Sequence, residues 1–211
     1  MKQPRIILAD DHRLVAEGLK ALLEPEYRLV GIVEDGRALL EAADRLMPDA
    51  VVADVSMPLL NGIEAARLLK RKNPGLVVVF LTMHMDAAYA AEAFEAGASG
   101  YVLKHSAPSE LLTAISCALK GHTYVSPALA EELLDHQNRR GAEAPGGLAR
   151  LTSRQREVLQ LLAEGRSAKE AAAVLGISAR TVEFHKYSMM EALGLKSSAE
   201  LVRFAVEHGV R

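Results

Sequence analysis

The 211-residue chain has no tryptophan, a single cysteine and no long apolar segment. Because Cys117 has no second cysteine to pair with, an internal disulfide is excluded and a reducing compartment is expected. No apolar run approaches the roughly 18 residues that cross a bilayer. The N-terminal residues lead directly into a predicted strand rather than into a signal peptide. These absences predict a cytoplasmic protein with no membrane partner.

Charge is distributed unevenly along the chain. Hydrophobic residues make up 50% and charged residues 25% of the sequence, which is the balance of a globular protein. The formal net charge is −2, yet residues 150–211 carry ten lysines and arginines against seven acids. This mildly basic C-terminal part is compatible with a nucleic-acid partner.

The first 120 residues alternate apolar, β-branched runs with helical stretches. Continuous apolar runs such as residues 77–81 indicate strands that are buried on both faces, and hence a parallel sheet covered by helices. We therefore predict a doubly wound α/β domain with a five-stranded parallel sheet over residues 1–121. The predicted strands are Arg5–Ala9, Arg28–Val33, Ala50–Ala53, Leu76–Leu81 and Gly100–Leu103.

The remaining sequence predicts a linker and an all-α domain. Residues 122–149 contain a short helical stretch, Pro127–Leu134, and then a polar segment typical of a mobile linker. Residues 150–211 have no strand signals and predict four helices. Only Gly176–Ser178 separates the second helix from the third, which is the tight turn of a helix-turn-helix. The hydroxyl side chains predicted to cap the four helices are Thr152, Ser167, Ser178 and Ser197.

Polar side chains follow four of the predicted strands. They are Asp10 and Asp11, Asp54, Thr82 and Lys104. The carboxyl ends of parallel strands meet at one edge of a sheet, so these groups are expected to lie together. Clustered carboxylates repel one another unless a cation intervenes, and hard oxygen ligands suit Mg²⁺. A lysine and a hydroxyl suit phosphoryl oxygens, so the pattern predicts a metal-assisted phosphate site with an aspartate nucleophile.

Each of these residues has a simpler interpretation when it is taken alone. Asp10 and Asp11 could cap a helix, Lys104 could be a surface lysine, and Thr82 could begin a helix. The joint occurrence of all of them at strand ends of one sheet favours the phosphate site.

Residues 1–120 resemble the receiver domain of two-component response regulators, which has a flavodoxin-like fold. The resemblance is carried by the acid pair Asp10-Asp11, by the D-x-x-M-P-x-x-N-G segment from Asp54 to Gly62, by Thr82, and by the G-Y-V-L-K segment that ends at Lys104. It implies a bacterial phosphoprotein in which Asp54 accepts phosphate from a histidine kinase.

The resemblance also implies roles for the surrounding residues. Asp11, Asp54 and the backbone carbonyl of Ser56 would ligate Mg²⁺, with Asp10 holding a water of the ion. Thr82 would move toward the phosphate and Tyr101 would turn inward behind it; the simpler interpretation of Tyr101 is a half-buried aromatic on an edge strand. Such a receiver would catalyse only its own phosphorylation and dephosphorylation.

A phosphorylation-dependent homodimer is a further expectation from the resemblance. The region between residues 86 and 119 often changes partners in receivers. Its apolar side chains also fit an ordinary core, because helical amphipathicity alone would bury them. The apolar side chains concerned are Tyr89, Phe94, Leu111 and Ile115.

The segment from Leu151 to Leu195 resembles the LuxR-type helix-turn-helix, as it is arranged in the NarL/FixJ class of regulators. The resemblance implies that residues 180–190 form the recognition helix in the major groove of promoter DNA. The expected DNA-binding residues are Arg180, Thr181, Glu183, Phe184, His185, Lys186, Tyr187 and Lys169, with Arg154, Arg166 and Lys196 at the phosphate backbone.

The recognition helix departs from the family pattern. Glu183, Phe184 and Tyr187 occupy positions that commonly carry base or phosphate contacts. An alternative is therefore a receiver-controlled protein-interaction module with little sequence-specific DNA binding. A second alternative, an aspartate-nucleophile phosphatase, is disfavoured because such enzymes usually have an acid where this chain has Ser56.

Overall fold

The computed structural model describes residues 3–83, 85, 87–106, 108–130, 133 and 147–210. A parallel sheet flanked by helices is followed by a group of α-helices. The strands are β1 (Arg5–Ala9), β2 (Arg28–Val33), β3 (Ala50–Ala53), β4 (Val77–Thr82), β5 (Gly100–Leu103) and β6 (Tyr124–Val125). The helices beside the sheet are α1 (Arg13–Leu23), α2 (Gly36–Leu46), α3 (Gly62–Lys72), α4 (Ala87–Glu95) and α5 (Pro108–Leu119). The C-terminal helices are α6 (Ser153–Ala163), α7 (Ala168–Leu175), α8 (Ala179–Leu193) and α9 (Ser198–Glu207), preceded by a short 3-10 helix, Gly147–Arg150.

The predicted doubly wound α/β class is confirmed, and the sheet has one strand more than expected. The strand order is β2-β1-β3-β4-β5-β6, so the order reverses between β1 and β3. The extra strand, β6, pairs with β5 in a stretch that the sequence assigned to the linker. Two residues are too few to show an apolar period, which is why sequence patterning did not reveal it.

The reversal point brings the first and third strands side by side. Ala9 lies opposite Ala53 in the ladder, and the amide of Asp54 donates to the carbonyl of Ala9 at 2.9 Å. The residues that follow these strands, Asp10 and Asp54, therefore leave the sheet as neighbours, which is the geometry of a ligand site in an open α/β sheet.

Helices pack on both faces of the sheet. One apolar cluster joins the sheet to α2, α3 and α4, and a second joins it to α1 and α5. Leu111 and Ile115 are buried in the second cluster, whereas Tyr89 and Phe94 are half-buried against the first. The core interpretation therefore holds for Leu111 and Ile115.

The four C-terminal helices form a separate apolar cluster. The predicted hydroxyl caps are confirmed: Thr152 and Ser167 form capping boxes, and Ser178 and Ser197 accept from backbone amides at the starts of α8 and α9. The core of this cluster includes Val158, Leu159, Leu161, Ala171, Val182, Met189 and Leu201.

The helical domain is docked against the sheet domain. Its helix α6 faces α3, α4 and the loop between β3 and α3. The C-terminal residues take part as well, because Gly209 packs so tightly on the ring of Tyr89 that a Cβ atom there would overlap the tyrosine. None of the helices formed by the described residues has the length and apolar character of a membrane span.

Several sequence predictions fall outside the described residues. They concern the polar part of the linker, residues 136–147, of which 136–146 are not described, and residues 131, 132 and 134 of the predicted helix Pro127–Leu134. Residues 127–130 and 133 are helical, and Leu129 and Leu133 are buried against the first apolar cluster of the sheet domain.

Gly62 at the start of α3 should be intolerant of a side chain. A Cβ atom there would overlap the carbonyl oxygen of Asp54, which belongs to the backbone and cannot rotate away. We expect Gly62→Ala to lower the free energy of unfolding by about 1–3 kcal/mol, the usual cost of overpacking. Urea denaturation followed by circular dichroism would measure this.

Gly18 provides the matched control. It lies in α1, and no atom lies within 4 Å of the position that an added methyl group would take, so Gly18→Ala should raise stability by about 0.5–1 kcal/mol through helix propensity. Equal effects of the two substitutions would contradict the close approach of Gly62 to Asp54.

Candidate functional site

Three carboxylates and a histidine meet at the carboxyl edge of β1 and β3. One ligand atom from each of Asp10, Asp11, His12 and Asp54 lies within 4.8 Å of all the others. Asp10 is 1% and Asp54 5% exposed, whereas Asp11 and His12 face solvent. The acids predicted from strand ends are therefore brought together. His12 joins them, with its Nδ1 2.8 Å from an oxygen of Asp11.

Lys104 bridges the two buried acids. Its Nζ donates to Asp54 Oδ2 at 2.5 Å and lies 2.7 Å from Asp10 Oδ2. Burial by itself would lower the pKa of Lys104, but the hydrogen bonds and charges of Asp10 and Asp54 outweigh it and raise the pKa above its ordinary value. The lysine is thus a permanent cation inside the site, and the surface-lysine interpretation does not apply.

The surroundings of Asp54 perturb its ionisation. Its burial raises its pKa above the ordinary aspartate value, the hydrogen bond and charge of Lys104 oppose that rise, and the charge of Asp10 adds to it. The amide of Ser56 also donates to Asp54 Oδ1 at 3.3 Å. The carboxylate is therefore desolvated and held by directed donors, which leaves little of its charge screened by water.

The predicted switch residues lie on the two adjacent strands. Thr82 ends β4 and is fully buried, and its carbonyl accepts from the amide of Lys104 at 2.8 Å. Tyr101, in β5, is also fully buried, with its ring 6.4 Å from that of Phe80. Its position beside β6 explains why it is not the half-buried edge-strand aromatic of the simpler interpretation.

The donor set fits the magnesium ion that the sequence predicts. Hard carboxylate oxygens from three aspartates lie within 4.8 Å of one another, and Mg²⁺ prefers one or two protein carboxylates together with waters and phosphate oxygens. The fit rests on the type and convergence of the ligands.

The predicted DNA-reading residues lie on α8, except Lys169, which lies at the start of α7. Phe184 and Tyr187 are 68% and 63% exposed, and Arg180 and Lys169 also face solvent. The face expected to meet DNA is thus open in the docked arrangement.

Charge on this face is partly neutralised within the helix. Lys186 Nζ lies 2.5 Å from Glu183 Oε2 and 5.2 Å from the ring centre of Tyr187. Of the residues expected at the phosphate backbone, Arg154 and Arg166 are half-buried and paired with acids, Arg154 with Glu157 and Arg166 with Glu164, whereas Lys196 is exposed.

Sequence reasoning missed the residues that join the two domains. Gln160 on α6 is fully buried, and its side chain contacts the loop that follows β3. Arg156 on the same helix reaches two acids of the sheet domain, Glu64 and Glu92. The signal in the sequence that could have indicated this contact was the polar character of Arg156 and Gln160, which lie close to the apolar residues 158, 159 and 161 on the same helix.

Comparison with known families agrees with this geometry. The model of the response regulator receiver domain matches residues 6–116, and the model of the bacterial regulatory proteins of the luxR family matches residues 149–205. The fold and the acid site define a receiver, and the C-terminal helices define a LuxR-type helix-turn-helix.

Relatives match over nearly the whole chain. The transcriptional regulatory protein MctR of Rhizobium johnstonii is 35% identical over 208 residues, covering 98% of this chain and 94% of that protein. The RcsB response regulator of Salmonella typhimurium matches with a TM-score of 0.67 and 29% identity over 98% of each chain. A structure of two RcsB dimers bound to two parallel DNAs matches with a TM-score of 0.60 and 28% identity, over 97% of this chain and 98% of that one.

The chain therefore belongs to the response regulators of two-component systems, in the NarL/FixJ class that joins a receiver to a LuxR-type DNA-binding domain. These families comprise signalling and transcription proteins rather than classical enzymes.

Magnesium should stabilise the folded chain through the acid cluster. At a concentration ten times its Kd, a ligand that binds only the native state adds about 1.4 kcal/mol, which corresponds to a rise in Tm of a few degrees for a chain of this size. Thermal unfolding with and without MgCl₂ would measure it.

Two single substitutions sharpen this measurement. Asp11→Asn should abolish most of the shift because it removes a ligand of the cluster. Asp44→Asn should preserve it, because Asp44 is an exposed acid that pairs with Lys72 away from the site. A magnesium shift that survives in Asp11→Asn would place the ion elsewhere.

Proposed function

We propose that Asp54 is the phosphoacceptor through which a histidine kinase controls DNA binding by this regulator. The observation that carries the proposal is the pairing of the buried Asp54 carboxylate with Lys104 at 2.5 Å, beside Asp10 and at the edge of an acid cluster. Such a desolvated, cation-paired carboxylate at a solvent opening suits nucleophilic attack on phosphorus.

The chemistry requires little from the protein beyond positioning. A carboxylate oxygen of Asp54 attacks the phosphorus of the donor, the bond from phosphorus to the kinase imidazole breaks, and its electron pair stays on that nitrogen. Lys104 stands where it can pair with the phosphoryl oxygens, and Thr82 offers a hydroxyl to them. The receiver in this scheme promotes only its own phosphorylation and dephosphorylation.

The magnesium ion has a defined place in this scheme. Asp11, Asp54 and the backbone carbonyl of Ser56 would hold it, with Asp10 beside them. When bound, the ion neutralises charge on the phosphoryl oxygens.

The output that we propose is promoter binding through α8, in a phosphorylation-dependent homodimer. RcsB, which is similar over nearly the whole chain, has been seen as dimers on DNA. Two-fold pairing would present two recognition helices about one turn of the double helix apart.

A regulator of this kind acts on the chromosome, so we infer a cytoplasmic location. In the receiver, Thr82 and Tyr101 are the proposed switch pair.

Phosphorylation should depend on Asp54 alone. With acetyl phosphate and MgCl₂, intact-mass analysis should detect one phosphoryl group per chain, labile to hydroxylamine as an acyl phosphate is. Asp54→Ala should remain unlabelled, while Asp44→Ala should label like the wild type because its carboxylate lies outside the site. Equal labelling of Asp54→Ala would overturn the proposal.

DNA affinity should be limited by Glu183. Glu183→Gln removes a negative charge from the recognition face and releases Lys186 from its ion pair, so affinity for sheared genomic DNA should rise. The slope of log K against log salt should steepen by about one, the contribution of one added phosphate contact. Fluorescence anisotropy over a salt series would measure both.

Lys169→Gln should do the reverse, weakening binding across sequences and reducing the slope by about one. Arg203→Gln on α9, an exposed residue outside the recognition face, is the control. If the phosphorylated protein bound no DNA at any salt concentration, the exposed Phe184 and Tyr187 would instead favour a protein-interaction module.

A further inference from the structure

One side of α8 faces away from the rest of the helical domain. Val182 and Met189, on its inner side, are fully buried in the core of that domain. Residues three or four positions apart lie on the same side of a helix, so the outer side carries one continuous stripe of side chains. The members of this outer stripe, all accessible to solvent, are Arg180, Glu183, Phe184, Tyr187 and Glu191.

The middle of the outer stripe is aromatic. The side chains of Phe184 and Tyr187 are 68% and 63% exposed. The chain has only four phenylalanines and five tyrosines, and all the others are buried or half-buried. A single exposed apolar residue is ordinary, but two large rings side by side form a patch, and such patches mark contact surfaces.

Both rings have neighbours that limit their movement in the free protein. The ring of Phe184 meets that of His185 edge-on, with the two centres 5.9 Å apart. The ring centre of Tyr187 lies 5.2 Å from Lys186 Nζ. Aromatic side chains also have few rotatable bonds, so little conformational entropy is lost when they are fixed against a partner. The pair is therefore suited to specific contact.

The charged residue beside the rings does not suit recognition of guanine. Guanine presents two acceptors in the major groove, and arginine or lysine normally donates to them. Here Glu183, which has no donor, precedes Phe184. Lys186 is only 16% exposed, and its Nζ lies 2.5 Å from the Glu183 carboxylate. The chemistry left to the middle of the helix is apolar contact, and the apolar group that the major groove offers is the C5 methyl group of thymine.

We propose that Phe184 and Tyr187 are specificity-determining residues that recognise the C5 methyl groups of thymine in the major groove. The inference rests on the proposed binding of promoter DNA through α8. It names the chemical group that distinguishes a target site from other DNA, and it assigns this discrimination to apolar contact and not to hydrogen bonds.

The spacing of the two rings fits neighbouring base pairs. Side chains three positions apart on a helix leave it about 5–6 Å from each other. Stacked base pairs are about 3.4 Å apart, so two rings of this size can reach methyl groups on neighbouring pairs. The preferred half-site should therefore contain neighbouring A·T pairs.

The surroundings of the patch favour DNA over a protein as its occupant. Arg180, one turn before Phe184, is exposed, as are Lys169 on α7 and Lys196 after α8. Residues 150–211 carry ten lysines and arginines against seven acids. Cations around an apolar centre match a groove whose edges carry phosphates and whose floor carries base edges.

Replacement of thymine by uracil in a bound duplex tests the proposal. The full-length protein, treated with acetyl phosphate and MgCl₂, is first used to select duplexes from a pool with a randomised central segment. The most enriched duplex is then synthesised with thymine or with uracil throughout the site. Uracil lacks the C5 methyl group and keeps every hydrogen-bonding group of thymine. Fluorescence anisotropy gives the Kd of each form.

Three variants accompany the wild type. The double variant Phe184→Ala with Tyr187→Ala removes both rings, and Tyr187→Phe removes only the hydroxyl group. Val206→Ala is the matched control, because Val206 is an exposed apolar residue of α9, outside the outer stripe. All these side chains are exposed, so the variants should fold, and thermal unfolding would verify it.

We expect the uracil form to bind the wild type about fourfold more weakly for each methyl group contacted, which corresponds to about 0.8 kcal/mol per buried carbon. The same ratio is expected for Tyr187→Phe and Val206→Ala, whereas it should fall close to one in the double variant. The slope of log K against log salt should be equal for the two duplexes, because no phosphate contact differs between them.

Several results would overturn the proposal. If the wild type selects a sequence but binds its thymine and uracil forms equally well, thymine recognition is refuted and DNA binding stands. Binding without enrichment of any sequence has the same meaning. A uracil effect that persists in the double variant would arise from other residues or from DNA shape.

Two further outcomes separate the ring from its alternatives. Loss of the uracil effect in Tyr187→Phe would contradict the proposal, because the hydroxyl group and not the ring would then be the recognising group. If the phosphorylated protein bound no duplex at all, the proposed DNA-binding function would fail and thymine recognition would fail with it.

Discussion

The pairing of Lys104 with two buried acids is the constraint on which the rest of the structure depends. Asp10 and Asp54 leave neighbouring strands as carboxylates with almost no access to water, and Lys104 closes the gap from β5. Without that ammonium the two acids would repel each other in a medium that screens poorly. The ends of β1, β3 and β5 are therefore joined by one ammonium group, and Asp54 carries one of the two charges that it balances.

Much of this arrangement could be predicted from the sequence because it depends on local pattern. The strands of a parallel sheet are buried on both faces, so continuous apolar runs predicted their positions. Because these strands end at the same edge of the sheet, the polar residues that follow them were expected to meet there. The capping boxes at Thr152 and Ser167 are likewise local, since each needs only a hydroxyl and an amide or carboxylate three residues later. The predicted acids and Lys104 accordingly converge in the structure.

The interface between the domains could not be predicted in the same way. Gln160, Arg156, Glu64 and Glu92 are polar residues on helices, and polar residues on a helix ordinarily indicate a solvated face. Only the three-dimensional juxtaposition of α6 with α3, α4 and the loop after β3 turns them into buried partners. Strand β6 was not predicted for a different reason. Its two residues pair through backbone atoms, and this pairing leaves no pattern in the side chains.

The exposure of α8 in the docked form has a kinetic consequence. A regulator whose recognition helix is accessible before activation would retain weak, salt-dependent affinity for DNA of any sequence. In the unphosphorylated state it would therefore slide and hop along the chromosome. The paired Glu183 and Lys186 moderate that affinity. The rate at which a promoter is occupied after a stimulus would then be set by the binding of a second subunit to a chain that is already on the DNA. A three-dimensional search from solution would not be the slow step.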